Sequence, residues 1–279
     1  MLVEKFKISA QGSAENANLK TYMIDSSDQL KYNKRPLVLV CPGGGYGFVS
    51  DREAEVMALQ FTAMGYHAAV LTYSTYPVRY PTQILETAQA WKILRENAEK
   101  WNVQPDKIVI LGCSAGGHLA ASYSLFCGED FVTRSVGLSA DELRPAGMIL
   151  CYPVITSGEF AHRDSIATLL GDDYDKLAGT ELFEKMSLEN QVTEKAPPAF
   201  IWHTYTDNLV PVENSLLFAM ALKKHNVNCE LHIFPDGGHG LSLAGELSRD
   251  SSGWGVQEEC KVWIRLSEVW LKNKFGIGE

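Results

Sequence analysis

The chain has 279 residues, 46% hydrophobic and 21% charged, which excludes the low-hydrophobicity, high-charge signature of disorder. A chain this long can bury about three quarters of its unfolded surface, enough for one large core. A formal net charge of −9 repels phosphate backbones, so neither nucleic acid nor an anionic membrane is expected as a partner. No apolar run approaches the roughly 18 residues of a membrane span, and MLVEKFKISAQG has no apolar stretch or cleavage site of a signal peptide. The six cysteines, Cys41, Cys113, Cys127, Cys151, Cys229 and Cys260, form no C-x-x-C pair. They are expected as free thiols in a reducing cytoplasm.

Along the chain, two alternating segments come first, Val3–Ser9 and Lys20–Asp25, predicted as antiparallel strands at one sheet edge. Short apolar runs follow at Pro36–Cys41, His67–Thr72, Lys107–Leu111, Ala146–Cys151, Ala199–His203 and Asn228–Phe234. Rich in Val, Ile and Leu, they read as parallel strands buried on both faces. Amphipathic helical patterns lie between or after them, at Arg52–Met64, Thr82–Lys100, Ala115–Cys127, Val212–His225 and Val256–Lys272. The alternation predicts an α/β architecture: a mostly parallel sheet of about eight strands with helices on both faces. No linker divides residues 1–279, which read as one domain. Residues 156–198 interrupt the rhythm with no strand and three short helical pieces; a connection that long is expected to be a cap or lid.

The segment Gly112-Cys113-Ser114-Ala115-Gly116 follows the apolar run Ile108–Leu111 and precedes the helical pattern His118–Tyr123. Strand, G-x-S-x-G, helix is the setting of a nucleophile elbow, whose strained turn needs neighbours almost without side chains. No lysine follows the glycines, which argues against a P-loop. A serine hydroxyl needs a base held by an acid, in the chain order Ser, Asp or Glu, His. Asp207 follows the run ending at His203, and His239 lies in the glycine-rich segment after Phe234, where glycine gives a base mobility. Rival acids are Asp236 and Glu213. His203 is a rival base but comes too early in the chain, while His67, His118 and His232 read as packed residues. Donors for a developing oxyanion are expected from the backbone N–H groups of Gly44 and Gly45, in Pro42-Gly43-Gly44-Gly45-Tyr46-Gly47, and of Ala115. No metal or organic cofactor is required.

On these residues the chain resembles the α/β-hydrolase superfamily, and within it the small acetyl esterase and acetyl xylan esterase-like branch near the hormone-sensitive-lipase type. The segments that carry the likeness are Cys41–Tyr46, Arg52-Glu53-Ala54, Gly112–His118, Leu150–Val154 and Asp207–Pro211. One departure is Pro42, where the lipase-type branch usually has a histidine that stabilises the glycine loop. The resemblance implies a serine esterase acting on short acyl esters, of acetylated sugars or xylan fragments. Its nucleophile, base and acid would be Ser114, His239 and Asp207. An amidase or peptidase of the kynurenine formamidase kind and a longer-chain carboxylesterase stay open as alternatives, as does homo-oligomerisation. Tyr46, Tyr152 and Trp254 are expected to contact substrate, with Tyr46, Phe48, Tyr152 and Pro153 crowding the acyl side in favour of acetate.

Overall fold

The computed structural model describes residues 1–276. Its elements run β1 Leu2–Lys7, β2 Asn18–Met23, β3 Arg35–Cys41, α1 Glu55–Ala63, β4 His67–Thr72, α2 Thr82–Glu96, β5 Val103–Cys113 and α3 Ala115–Phe126. They continue with α4 Asp130–Val136, α5 Ala140–Leu143, β6 Gly147–Cys151, α6 Arg163–Leu170, α7 Tyr174–Leu177 and α8 Glu181–Lys185. The last are β7 Ala199–Thr204, α9 Glu213–Lys224, β8 Cys229–Phe234 and α10 Val262–Phe275. Eight strands form one sheet in the order β1-β2-β4-β3-β5-β6-β7-β8. The pairs β1–β2 and β2–β4 are antiparallel and all others parallel, so the two amino-terminal strands form the antiparallel edge expected of them.

Alternation along each strand divides the core into two layers. In β3, Leu37, Leu39 and Cys41 face one layer with Ile84 and Trp91 of α2, Leu119 of α3 and Phe218 of α9. Val38 and Val40 face the other, with Met57 and Phe61 of α1 and Trp263, Trp270 and Leu271 of α10. Helices therefore cover both faces. All six cysteines are unpaired.

Several boundaries shift by a few residues from the sequence expectation, among them those of α10 and β5. α10 starts at Val262 rather than Val256, because residues 256–257 are loop and Glu258–Lys261 a 3-10 turn. β5 begins four residues early at Val103, its first part pairing Val103 with Arg35 before a shift in register. The insertion between β6 and β7 contains α6, α7 and α8 and no strand. Among the described residues no helix is long and apolar enough to cross a membrane.

Candidate active site

The parallel strands β3, β5, β6, β7 and β8 all end on the same rim of the sheet, the position where open α/β sheets bind ligands. Ser114 sits between the end of β5 and the start of α3 with φ 54° and ψ −121°, a backbone conformation costly for any residue with a Cβ. It is pinned on both sides: its N–H donates to the Cys151 carbonyl at 3.0 Å, and its carbonyl accepts from Val154 at 3.0 Å and His118 at 3.1 Å. A Cβ on Gly112 would collide with the Gly116 carbonyl, and one on Gly116 with the carbonyls of Cys41 and Pro42. The spacing of the two glycines is thus dictated by backbone packing around the serine.

Ser114 Oγ lies 2.7 Å from Nε2 of His239, whose Nδ1 lies 2.7 Å from Oδ2 of Asp207. A carboxylate accepts only, so Nδ1 carries the proton and Nε2 is left to accept from the serine hydroxyl. Asp207 Oδ1 accepts from the N–H groups of Leu209 and Val210, each at 3.0 Å. His203, fully buried, points Nε2 at both the Val210 carbonyl, 3.0 Å away, and Asp207 Oδ2, 3.2 Å away. A carbonyl cannot donate, so this nitrogen is the donor and His203 steadies the Asp207 carboxylate; its Nδ1 meets the Ser215 hydroxyl at 2.8 Å. Burial works against the charge on Asp207, but hydrogen bonds from His203 and His239, with the Leu209 N–H, outweigh it and hold the carboxyl well below the usual carboxylate range. The rival acid Asp236 is exposed.

The glycine loop after β3 is anchored from beneath. The Gly43 N–H donates to Glu53 Oε2 at 2.9 Å, which leaves Gly44 and Gly45 as the loop's candidate donors. Both line the same cleft as Ser114 and His239. Ala115 is the first residue of α3, where backbone N–H groups lack intrahelical partners. The loop at Pro42 is held by two buried contacts: Tyr73 donates to the Pro42 carbonyl at 2.7 Å, and Glu53 accepts from Gly43. Glu53 in turn accepts from Tyr152 Oη at 2.6 Å, and Tyr152 Oη accepts from the Ser242 N–H at 2.9 Å. One buried chain thereby ties the glycine loop, the end of β6 and the segment after His239. Glu53 lies in one of the segments that carry the family likeness, but no motif marks its carboxylate.

None of the three aromatic residues expected at the substrate is among those lining the cleft over Ser114 and His239. Tyr46 is buried, its hydroxyl 2.9 Å from His118 Nδ1. Tyr152 is also buried, with its ring edge-on to His239 at 5.2 Å between centroids. Both side chains turn inward because each hydroxyl finds a buried partner there. Trp254 braces the His239 segment: its indole N–H donates to the His239 carbonyl at 3.1 Å, and a Cβ on Gly238 would run into its ring. The glycine-rich segment, expected to be mobile, is held further by Thr204 and Thr206, whose hydroxyls donate to the Gly237 carbonyl at 2.9 and 3.0 Å.

A cleft of about 260 Å³ opens over Ser114 and His239, smaller than the usual range of ligand pockets. Its apolar rim is Phe48 and Leu209, both exposed, and its polar lining includes His162 from the insertion. No sequence motif marks His162. Among the described residues no cluster of His, Cys, Asp and Glu is arranged to hold a metal ion.

A mostly parallel sheet with a strained serine at the tip of a central strand defines an α/β hydrolase, and solved structures of such enzymes share the architecture. The chain belongs to the BD-FAE family, which it matches over residues 26–222. It is 40% identical over 225 residues to endo-1,4-beta-xylanase B of Butyrivibrio fibrisolvens, covering 79% of this chain and 34% of that protein. It is 30% identical over 223 residues to an acetylxylan esterase of Xylanibacter ruminicola, covering 76% and 44%. The chain thus spans a third to under half the length of these curated relatives. The crystal structure of an acetyl ester-xyloside bifunctional hydrolase from Caldicellulosiruptor lactoaceticus is similar at 39% identity and a TM-score of 0.80, over 94% of this chain and 89% of that one.

Proposed function

We propose that this chain is a serine esterase that hydrolyses short acyl esters, with acetylated sugars or xylan fragments as its substrate class. The observation that carries the reading is the relay of two 2.7 Å hydrogen bonds from Ser114 through His239 to Asp207, set on a strained elbow. Ser114 Oγ attacks the ester carbonyl as His239 Nε2 takes its proton. Asp207 holds the imidazole in the required tautomer and stabilises its cation. The oxyanion is received by the N–H groups of Ala115 and of Gly44 or Gly45, each donor worth about 3–4 kcal/mol. His239 then protonates the departing alcohol, and water, activated the same way, releases the acid. The insertion 156–198 acts as a cap beside the cleft. Relatives named xylanase, acetylxylan esterase and acetyl ester-xyloside hydrolase favour an acetylated saccharide.

Labelling with a serine-directed organophosphonate tests the nucleophile: the adduct is expected on Ser114 and absent in Ser114→Ala. An adduct on Cys113, or full activity in the alanine variant, would overturn the mechanism. Release of acetate from acetylated xylo-oligosaccharides tests the substrate class; amide turnover without ester turnover would favour the amidase alternative.

A further inference from the structure

His162 is the N-cap of α6, yet its side chain makes no capping hydrogen bond there, and histidine is not among the residues that helices favour at this position. The ring is held instead by Ser165, whose Oγ lies 2.7 Å from Nδ1. Ser165 is fully buried, so the contact fixes the ring from the inside while His162 itself lines the cleft with Ser114 and His239. Burial and the neighbouring His239 lower its pKa from the ordinary 6.5, leaving the ring neutral at neutral pH.

The proposed reaction determines what lies beside it. His239 must return a proton to the leaving oxygen, so the alcohol half of the ester occupies the His239 side of Ser114. The carbonyl oxygen is turned toward Ala115, Gly44 and Gly45. We propose that His162 is a specificity-determining residue that hydrogen-bonds, through Nε2, a hydroxyl neighbouring the scissile oxygen on the alcohol half, which selects polyol and sugar esters over esters of simple alcohols. If Ser165 donates to Nδ1, Nε2 carries a proton and donates; if Nδ1 donates to Ser165, Nε2 accepts. A hydroxyl satisfies either tautomer because it both donates and accepts, whereas an alkyl group satisfies neither. The inference rests on the esterase reading above and deepens it.

Two esters differing by one hydroxyl test it: the monoacetate of 1,2-cyclohexanediol and cyclohexyl acetate. The ratio of their kcat/KM values is measured for the wild type, His162→Leu and His162→Gln. The wild type prefers the diol monoacetate; in His162→Leu that preference falls about tenfold, the effect of losing one hydrogen bond, and it appears mainly in KM. Glutamine, which keeps a donor and an acceptor, restores part of it. The wild-type comparison stands even if a variant fails to fold. A wild type that hydrolyses both esters equally, or a His162→Leu enzyme whose ratio stays within twofold of wild type, overturns the inference and leaves the esterase reading intact. A wild type that hydrolyses neither ester overturns that reading and the inference with it.

Discussion

Replacing Tyr152 by Phe removes one oxygen from the buried chain that joins three segments of the site. That oxygen donates to Glu53 Oε1 at 2.6 Å and accepts from the Ser242 N–H at 2.9 Å, and Tyr152, Glu53 and Ser242 are 2%, 4% and 0% exposed. The variant therefore strands a carboxylate oxygen and a backbone N–H where water cannot replace the lost partner. A hydrogen bond to a charged group contributes about 1.5–3 kcal/mol and an orphaned buried donor costs about 1–3 kcal/mol, so the loss should be about 3–5 kcal/mol. For a chain of this size that lowers Tm by roughly 6–10 °C. Urea unfolding of the single variants and of Tyr152→Phe combined with Glu53→Gln measures both the loss and the coupling. Because the phenyl ring stays against His239, activity per folded molecule should fall less than about tenfold, far less than for a change within the relay. A loss under about 1 kcal/mol, or strict additivity of the two substitutions, would show that the chain does not hold the site together.

Asp207→Asn should lower kcat about 10⁴-fold at neutral pH by favouring the wrong tautomer of His239; steady-state kinetics within tenfold of wild type would remove Asp207 from its assigned part. Burial holds the pKa of His67 and of His118 down to about 4, against about 6.5 in the unfolded chain. The unfolded state then binds more protons between these values, so stability is full above pH 6.5 and is lost as pH falls toward 4. At pH 5 each ring should cost about 2 kcal/mol relative to neutral pH; an unchanged urea midpoint between pH 7 and pH 5 would contradict this. With a cleft of only about 260 Å³, kcat/KM on p-nitrophenyl esters should fall from acetate through butyrate to octanoate. A maximum at butyrate or beyond would mean that added methylenes find apolar room, each gaining roughly 0.8 kcal/mol, and would favour the longer-chain carboxylesterase.

That Ser114, Asp207 and His239 would meet was legible in the sequence because each follows an apolar run within a few residues, and parallel strands deliver their ends to one rim. Local geometry adds to this: glycines at 112 and 116 are needed here because a Cβ at either would meet backbone carbonyls packed around the positive-φ Ser114. What depends on side-chain direction was not legible. Tyr46 and Tyr152 follow the ends of β3 and β6 yet are buried and absent from the cleft lining, since partners for their hydroxyls come from residues 72 and 99 positions distant. The tie between Glu53 and Gly43 is hidden for the same reason, although the pair stands only ten residues apart. His162 belongs to an insertion without strands, whose path follows no periodic rule.

The brace on the base also makes the protein optically legible. Of six tryptophans, Trp91, Trp101, Trp202, Trp263 and Trp270 are at most 3% exposed, while Trp254 is 46% exposed. An aqueous collisional quencher such as acrylamide therefore reaches essentially one indole, and that indole is hydrogen-bonded to the His239 carbonyl. Emission at the red edge, where the solvated ring dominates, therefore reports on the segment around His239 without any introduced dye.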